Sequence, residues 1–358
     1  MKIPQRKDEH IYHTMGSDVT CKTPAGFDDV TLVHSALPEI SYADIDTSVE
    51  LFGKRIDAPL MISALTGGSE LTGKINKSLA KLAHAYNVPI SVGSQRAMHA
   101  ESSLRPTYEI RSYAPDVLLF SNVGIAQLIT MSDDEVEHMV SSIGADVLAV
   151  HLNPLQEALQ PEGDTNFSGG IGRLREIKDA LSIPVIVKET GAGISYEAAS
   201  RISFLDGIDV AGVGGTSFAA VEYHRTTDEM RKNIARSFWD WGVPTVASIV
   251  ECIEVFDTLI ASGGVRTGID IAKSVALGAT CAGIAQPFLS AVYKRPHDEA
   301  RHYVETLIEE LRITMFLVGA ASINDLRNAP VVVGGTTRDY LFERGFSVEY
   351  LARKGDIR

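Results

Sequence analysis

The stretch ADVLAVHLNPLQE, residues 145–157, decides the fold class. The run ADVLAV is apolar without alternation after Asp146, the pattern of a strand buried on both faces, as in a parallel sheet. His151 and Asn153 follow two apart and so share one face of that strand. Pro154 cannot continue the ladder, so the chain turns, and Gln156 and Glu157 stand in the loop just beyond. A neutral ring, an amide and a carboxylate thus converge where a parallel strand ends, which is where α/β proteins bind ligands. Taken alone, the run is equally a polar strand cap, and its neighbours have to decide.

Similar runs recur on both sides: PLMISA (59–64), VPISV (88–92), DVLLFS (116–121), PVIVK (184–188), GIDVAGV (207–213), TLIASG (258–263) and ATCAGIA (279–285). Helical segments separate them. GKINKSLAKLAHAYN (73–87) places Ile75, Leu79, Leu82 and Ala83 on one stripe, and SDDEVEHMVSSIG (132–144) opens on Ser132 as N-cap with acids in its first turn. EAASRIS (197–203) and GIDIAKSVALG (268–278) behave alike, and Gly144 and Gly278 stand where helices end. Eight alternating units predict a closed (β/α)8 TIM barrel with an N-terminal extension rather than an open sheet. VPTVASIV (243–250) would be a ninth strand; it is read instead as the lead-in to a helix, with Ser248 as N-cap. Residues 305–321 read as the closing helix. The predicted division is an extension over 1–55, a barrel over 56–325 and a tail over 326–358, in which NAPVVVGG suits edge packing or a subunit contact.

The 358 residues carry a formal charge of −13, which argues against a nucleic-acid or anionic-membrane binder. Cys21, Cys252 and Cys281 are too scattered for a metal site and odd in number, which suits reduced thiols in the cytoplasm. No apolar run approaches a membrane span, and the polar start MKIPQRKDEHIYH does not read as a signal peptide. That start suits a frayed tail by composition, or else an arm folding over an anion through Arg6 and Lys7.

In a barrel, the strand C-termini form the site. They supply Thr66-Gly67-Gly68, Gly93 to Arg96, Asn122, the opening stretch, Lys188-Glu189-Thr190, Gly212 to Ser217, Ser262 to Arg266, and Ala282 to Pro287. Glycine loops after three consecutive strands suit a phosphate, because backbone N–H groups approach one only where side chains are small; Arg266 adds charge. Thr66, Ser94, Asn122 and Thr216 suit the donor–acceptor edge of a flavin, and Lys188 an anionic partner: a reduced flavin, or else Glu189 or Glu157. Arg96 with Arg6 and Lys7 suits a second phosphate group. Glu157 suits Mg2+, which takes one or two carboxylates and completes its shell with water and substrate phosphate.

RKDEHI (6–11), TGG (66–68), SQRA (94–97), HLNPLQE (151–157), QPEGD (160–164), VIVKE (185–189), GVGGTS (212–217) and ASGGVR (261–266) together resemble the type 2, flavin-dependent isopentenyl diphosphate isomerases over most of the chain. The resemblance implies an FMN-dependent barrel interconverting isopentenyl diphosphate and dimethylallyl diphosphate, with reduced FMN as acid and base, Mg2+ on the diphosphate, NADPH as reductant, and a homotetramer or homo-octamer. It implies FMN contacts from Ala64, Leu65, Thr66, Ser94, Asn122, Lys188, Thr216, Gly264, Val265, Arg266, Ala285 and Gln286. Substrate contacts would come from Arg6, Lys7, Ser94, Gln95, Arg96 and Gln156, with His151, Asn153 and Gln156 supporting the chemistry and Glu157 holding the metal. Leu65 stands where Met is expected and Phe218 where some members have Trp, departures that touch flavin packing. A flavin oxidoreductase of the 2-hydroxyacid oxidase type, or a non-catalytic flavin barrel, remains the alternative.

Overall fold

The computed structural model describes residues 3–293 and 297–354. All eight expected runs form strands of one closed parallel barrel: β1 (Leu60–Ile62), β2 (Ile90–Ser91), β3 (Leu119–Gly124), β4 (Val147–Leu152), β5 (Val185–Glu189), β6 (Gly207–Asp209), β7 (Leu259–Ser262) and β8 (Cys281–Ile284). Each pairs with its chain neighbour, and β8 returns to β1, so the chain is a (β/α)8 TIM barrel. The continuous apolar runs follow from burial on both faces. Inward-facing Met61, Phe120, Ala149, Ile186 and Ile260 fill the barrel, and the rest of the strand residues pack against helices. A hairpin, Val49–Leu51 with Lys54–Ile56, adds Leu51 and Ile56 to the inner cluster and plugs the N-terminal end. The other end is left open for the site.

From Ile3 on, the N-terminal segment is helical rather than frayed. Helix α1 (Ile3–Gly16) buries Ile11 in the main core, and its Asp8 carboxylate accepts the Ser69 hydroxyl at 2.5 Å. The side chains of Arg6 and Lys7, both expected at the substrate, lie outside the described residues. Helix α2 (Glu70–Ala85) starts from a Ser69–Thr72 capping box and buries the expected stripe of Ile75, Leu79, Leu82 and Ala83. Ser132 caps α3 (Asp133–Ser142) reciprocally with Glu135, and Gly144 turns the chain out at φ 63°. The short α4 (Pro154–Leu159) has Pro154 in its first turn and follows β4 directly. Further on lies α5 (Phe218–Arg225).

VPTVASIV is helical, as expected, but Ser248 is not its cap. Helix α6 (Thr245–Ile253) begins at Pro244, whose ring presets the entry and which forms an isolated bridge with Val213. Ser248 lies one turn inside, donating to the Ile194 carbonyl at 2.6 Å and accepting the Ile194 N–H. Helix α7 (Gly268–Ala276) is capped by Thr267 with Asp270, and α8 (His297–Leu317) ends short of the expected Ala321 because Gly319 turns at φ 72°. In the tail, Val331–Val333 pairs antiparallel with Val30–Leu32, so NAPVVVGG is edge packing that joins the two ends of the chain. The Asp29 carboxylate then caps α9 (Gly335–Glu343) through the Thr337 N–H and hydroxyl.

Candidate active site

The strand C-termini surround one cavity of about 1530 Å³ of free space, counting the part continuous with solvent. Its floor and walls include Ala64, Leu65, Thr66, Ser94, Asn122, Lys188, Thr216, Gly264, Arg266, Ala285 and Gln286. Across from them stand Arg96, His151, Asn153, Gln156 and Glu157, and α1 adds Ile11 and Thr14 at the rim. Register explains the convergence: Gly124, His151, Lys188 and Asp209 are cross-strand neighbours on β3, β4, β5 and β6. Gly124 is glycine for a reason, since a Cβ there would collide with the Gln127 and His151 side chains.

On the polar wall, His151 Nδ1 donates to Asn122 Oδ1 at 2.8 Å, which fixes the ring across two strands. Asn153 Nδ2 donates to Gln156 Oε1 at 3.2 Å and Glu157 Oε1 at 3.0 Å. The second Glu157 oxygen accepts the Asp164 N–H at 2.6 Å, so the QPEGD loop folds back over the carboxylate. Gly163 makes that fold possible, because a Cβ there would overlap the Glu157 carbonyl. Glu157 is buried and held from two sides.

Lys188 pairs with neither of its expected carboxylates. Its Nζ lies 3.2 Å from Asp209 Oδ2 and donates to the Glu189 carbonyl, while Ser262 donates to the other Asp209 oxygen. Cross-strand adjacency of β5 and β6 brings Lys188 and Asp209 together, whereas neighbouring positions on one strand point apart. Glu189 faces the other way, and Oε2 accepts the N–H groups of Thr190, Gly191 and Ala192. Burial pushes its carboxyl up to about 7 against those donors.

On the glycine side, Gly212, Gly215, Gly263, Gly264 and Gly283 line the cavity. Gly264 turns at φ 76° and packs so closely against Ala25 and Gly214 that a side chain would displace backbone. Beside it, desolvation at the cavity wall draws the Arg266 guanidinium below its ordinary value, although the residue as a whole is exposed. Ser63 Oγ is buried at the wall with no hydrogen-bond partner among the described residues.

Comparison with known proteins gives the same outline. Residues 2–140 and 154–333 match the family model described as FMN-dependent dehydrogenase. The chain is 47% identical to an isopentenyl-diphosphate delta-isomerase of Thermococcus onnurineus, covering 95% of this chain and 94% of that protein. It is 45% identical to one of Methanosarcina barkeri, covering 98% of each. The chain belongs to the isopentenyl-diphosphate delta-isomerase family. A flavocytochrome b2 double mutant with sulfite bound superposes with a TM-score of 0.68 at 18% identity, over 95% of this chain and 88% of that one, which shows the shared fold. The interval that the dehydrogenase model skips, residues 141–153, holds β4 and His151, on the polar wall of this isomerase-family barrel.

Two expected residues stand off the cavity wall. Gln95 is fully buried: Oε1 accepts the Ser121 hydroxyl and the Asn122 N–H, and Nε2 donates to the Met139 carbonyl. It braces Asn122 from behind. Val265 is core, offering its carbonyl to Arg266. Sequence reading missed Asp209, Gln160, Gln127 and Ser63. The one available signal was Asp209 itself, an acid inside the apolar run GIDVAGV.

Proposed function

We propose that this chain interconverts isopentenyl diphosphate and dimethylallyl diphosphate, using reduced FMN and Mg2+, with a nicotinamide such as NADPH as the reductant. The observation that carries the reading is one mouth with two unlike walls: a glycine-and-arginine wall suited to one phosphate, and a polar wall with a held carboxylate suited to a diphosphate. The residues fit FMN: the loops exclude side chains, Arg266 lines the cavity beside them, and Ser63 Oγ lacks a partner among the described residues. Gly263, Gly264 and Arg266 would hold its phosphate, Thr66, Ser94, Asn122 and Thr216 its ring edge, and Lys188 its pyrimidine side. When bound and reduced, FMN supplies a ring nitrogen able to give and take the proton that an unactivated alkene needs.

The chain's own residues orient the substrate and control charge. Arg96, Arg6 and Lys7 bind the diphosphate, remote binding energy that aligns the five-carbon chain. Glu157 is the carboxylate that the described residues place on the cavity wall, which suits Mg2+ sharing its shell with phosphate and water. His151, Asn153 and Gln156 face the same space; His151 is held by Asn122 and Gln156 by Asn153, so the neutral ring keeps Nε2 as an acceptor and Gln156 keeps its amide N–H groups as donors beside the reacting carbons. The alternative hydroxyacid oxidation needs a His–Arg pair at the end of β7, where Ser262 stands and is engaged with Asp209. Three free cysteines support a reducing cytoplasm, and no helix among the described residues is long and apolar enough to cross a membrane. A homotetramer or homo-octamer, as the family resemblance implies, would have apolar side chains such as Met230, Ile234 and Trp241 to cover.

The test is anaerobic isomerisation of isopentenyl diphosphate with FMN, dithionite or NADPH, and Mg2+; absence of turnover would refute the reading. Glu157→Gln should raise the Mg2+ requirement by about tenfold or more, with flavin absorbance intact. A variant with an unchanged Mg2+ requirement would remove Glu157 from the metal.

A further inference from the structure

Arg225 ends α5 outside the cavity lining, yet its side chain is only 7% exposed and meets three carboxylates from three segments. Nη1 bonds Glu222 on its own helix, Nη2 bonds Glu162 of the QPEGD loop at 2.8 Å, and Nε lies 3.8 Å from Glu9 of α1. That Nε is buried without a hydrogen-bond partner among the described residues, so a small movement of α1 would complete it. Glu222 also accepts Gln160 Nε2 at 2.8 Å, and Gln160 lines the cavity. Burial acts to lower the Arg225 pKa, and the carboxylates outweigh it.

The loop on one side of this knot is the one whose Asp164 N–H grips Glu157, two residues beyond Glu162. The helix on the other side carries Arg6 and Lys7, three and two residues before Glu9. Burying a charge requires it to be paired, and a planar fork serving three acceptors fixes their relative positions where a point charge would not.

We propose that Arg225 is a positioning residue that ties helix α1 to the Glu157 loop, so that capture of the diphosphate and of the divalent ion are coupled. This rests on the isomerase reading for its substrate, though not for the physical tie. With the arm seated, Glu9 draws toward Arg225, Arg225 keeps Glu162 in place, and Asp164 keeps Glu157 aimed into the cavity. Loosening either end loosens the other.

The test uses the FMN-loaded full chain. Arg225→Gln should raise both the KM for isopentenyl diphosphate and the half-saturating Mg2+ by about tenfold, a loss of uniform binding that leaves kcat within about twofold. FMN content should not change, protease cleavage within residues 3–16 should accelerate, and Arg225→Lys should recover part of each effect. A fall in kcat with KM and Mg2+ demand unchanged would overturn the proposal. If Arg225→Gln does not fold, Glu9→Gln and Glu162→Gln replace it: each should raise both parameters, and Glu9→Gln affecting KM alone while Glu162→Gln affects Mg2+ alone would overturn the coupling. A wild-type enzyme that holds FMN but never turns over would refute the functional reading, and the protease rate in Arg225→Gln would still decide whether the tie exists.

Discussion

Lys188 sits between a buried carboxylate below and the cavity above. Asp209 satisfies its charge from one side, so the pair is nearly neutral and holds the ammonium at the wall. An anionic ring would gain from that ammonium and a neutral ring far less. Lys188→Ala should therefore weaken binding of reduced FMN by about tenfold more than of oxidised FMN, a differential of about 1.4 kcal/mol. Equal losses in both redox states, by ultrafiltration or fluorescence titration, would contradict this. Glu189, adjacent in sequence, is a stability matter. Its folded carboxyl is raised from the ordinary 4.5 to about 7, so folding favours the protonated form. The resulting destabilisation is absent below about pH 4.5 and complete above about pH 7, on the order of 3 kcal/mol. Since Gln does not titrate, Glu189→Gln should gain thermal stability relative to wild type as pH rises through that window; a flat difference would count against it.

At the scale of elements, α1 is the unexpected one. Its composition reads as a polar tail, and nothing local distinguishes an arm from a frayed end. Its order comes from contacts far away in sequence: Asp8 with Ser69, Glu9 with Arg225, and Ile11 in the core. Deleting residues 1–10 should raise the substrate KM by at least about tenfold with FMN binding nearly unchanged, since the phosphate loops lie on the barrel itself. Unchanged kinetics would mean the helix has no part in capture. The barrel units, by contrast, were legible because Ser132 and Gly144 mark a helix by local chemistry, and ADVLAV marks a strand by burial. Ser248 shows the limit of such reading. A serine before an apolar run looks like a cap, but Pro244 starts the helix earlier and the hydroxyl serves Ile194.

Over the whole molecule, the tail acts as a clamp. Arg344 bonds Glu251, which is fully buried on α6, through two nitrogens and also reaches Glu197. Val331–Val333 locks the other end of the tail to Val30–Leu32. Arg344 is partly exposed but Glu251 is not, and without the guanidinium the buried carboxylate keeps the Tyr196 N–H as a partner, so Arg344→Ala should lower unfolding free energy by about 2 kcal/mol in urea. Activity per folded molecule should persist, because neither Arg344 nor Glu251 lines the cavity. A change below about 1 kcal/mol would make the clamp an ordinary surface pair.

Linear order was sufficient for the eight-fold alternation, the strand-end positions of Thr66, Asn122, His151 and Lys188, and the glycine loops, since strand burial, helix capping and tight turns all depend on residues within a few positions of one another. Folding alone decided which side chains meet. Lys188 found Asp209 rather than its sequence neighbour, Gln95 turned inward to brace Asn122, and Arg225 gathered Glu9, Glu162 and Glu222. Those partnerships are set by cross-strand register and by the packing of distant segments, quantities that local periodicity does not carry.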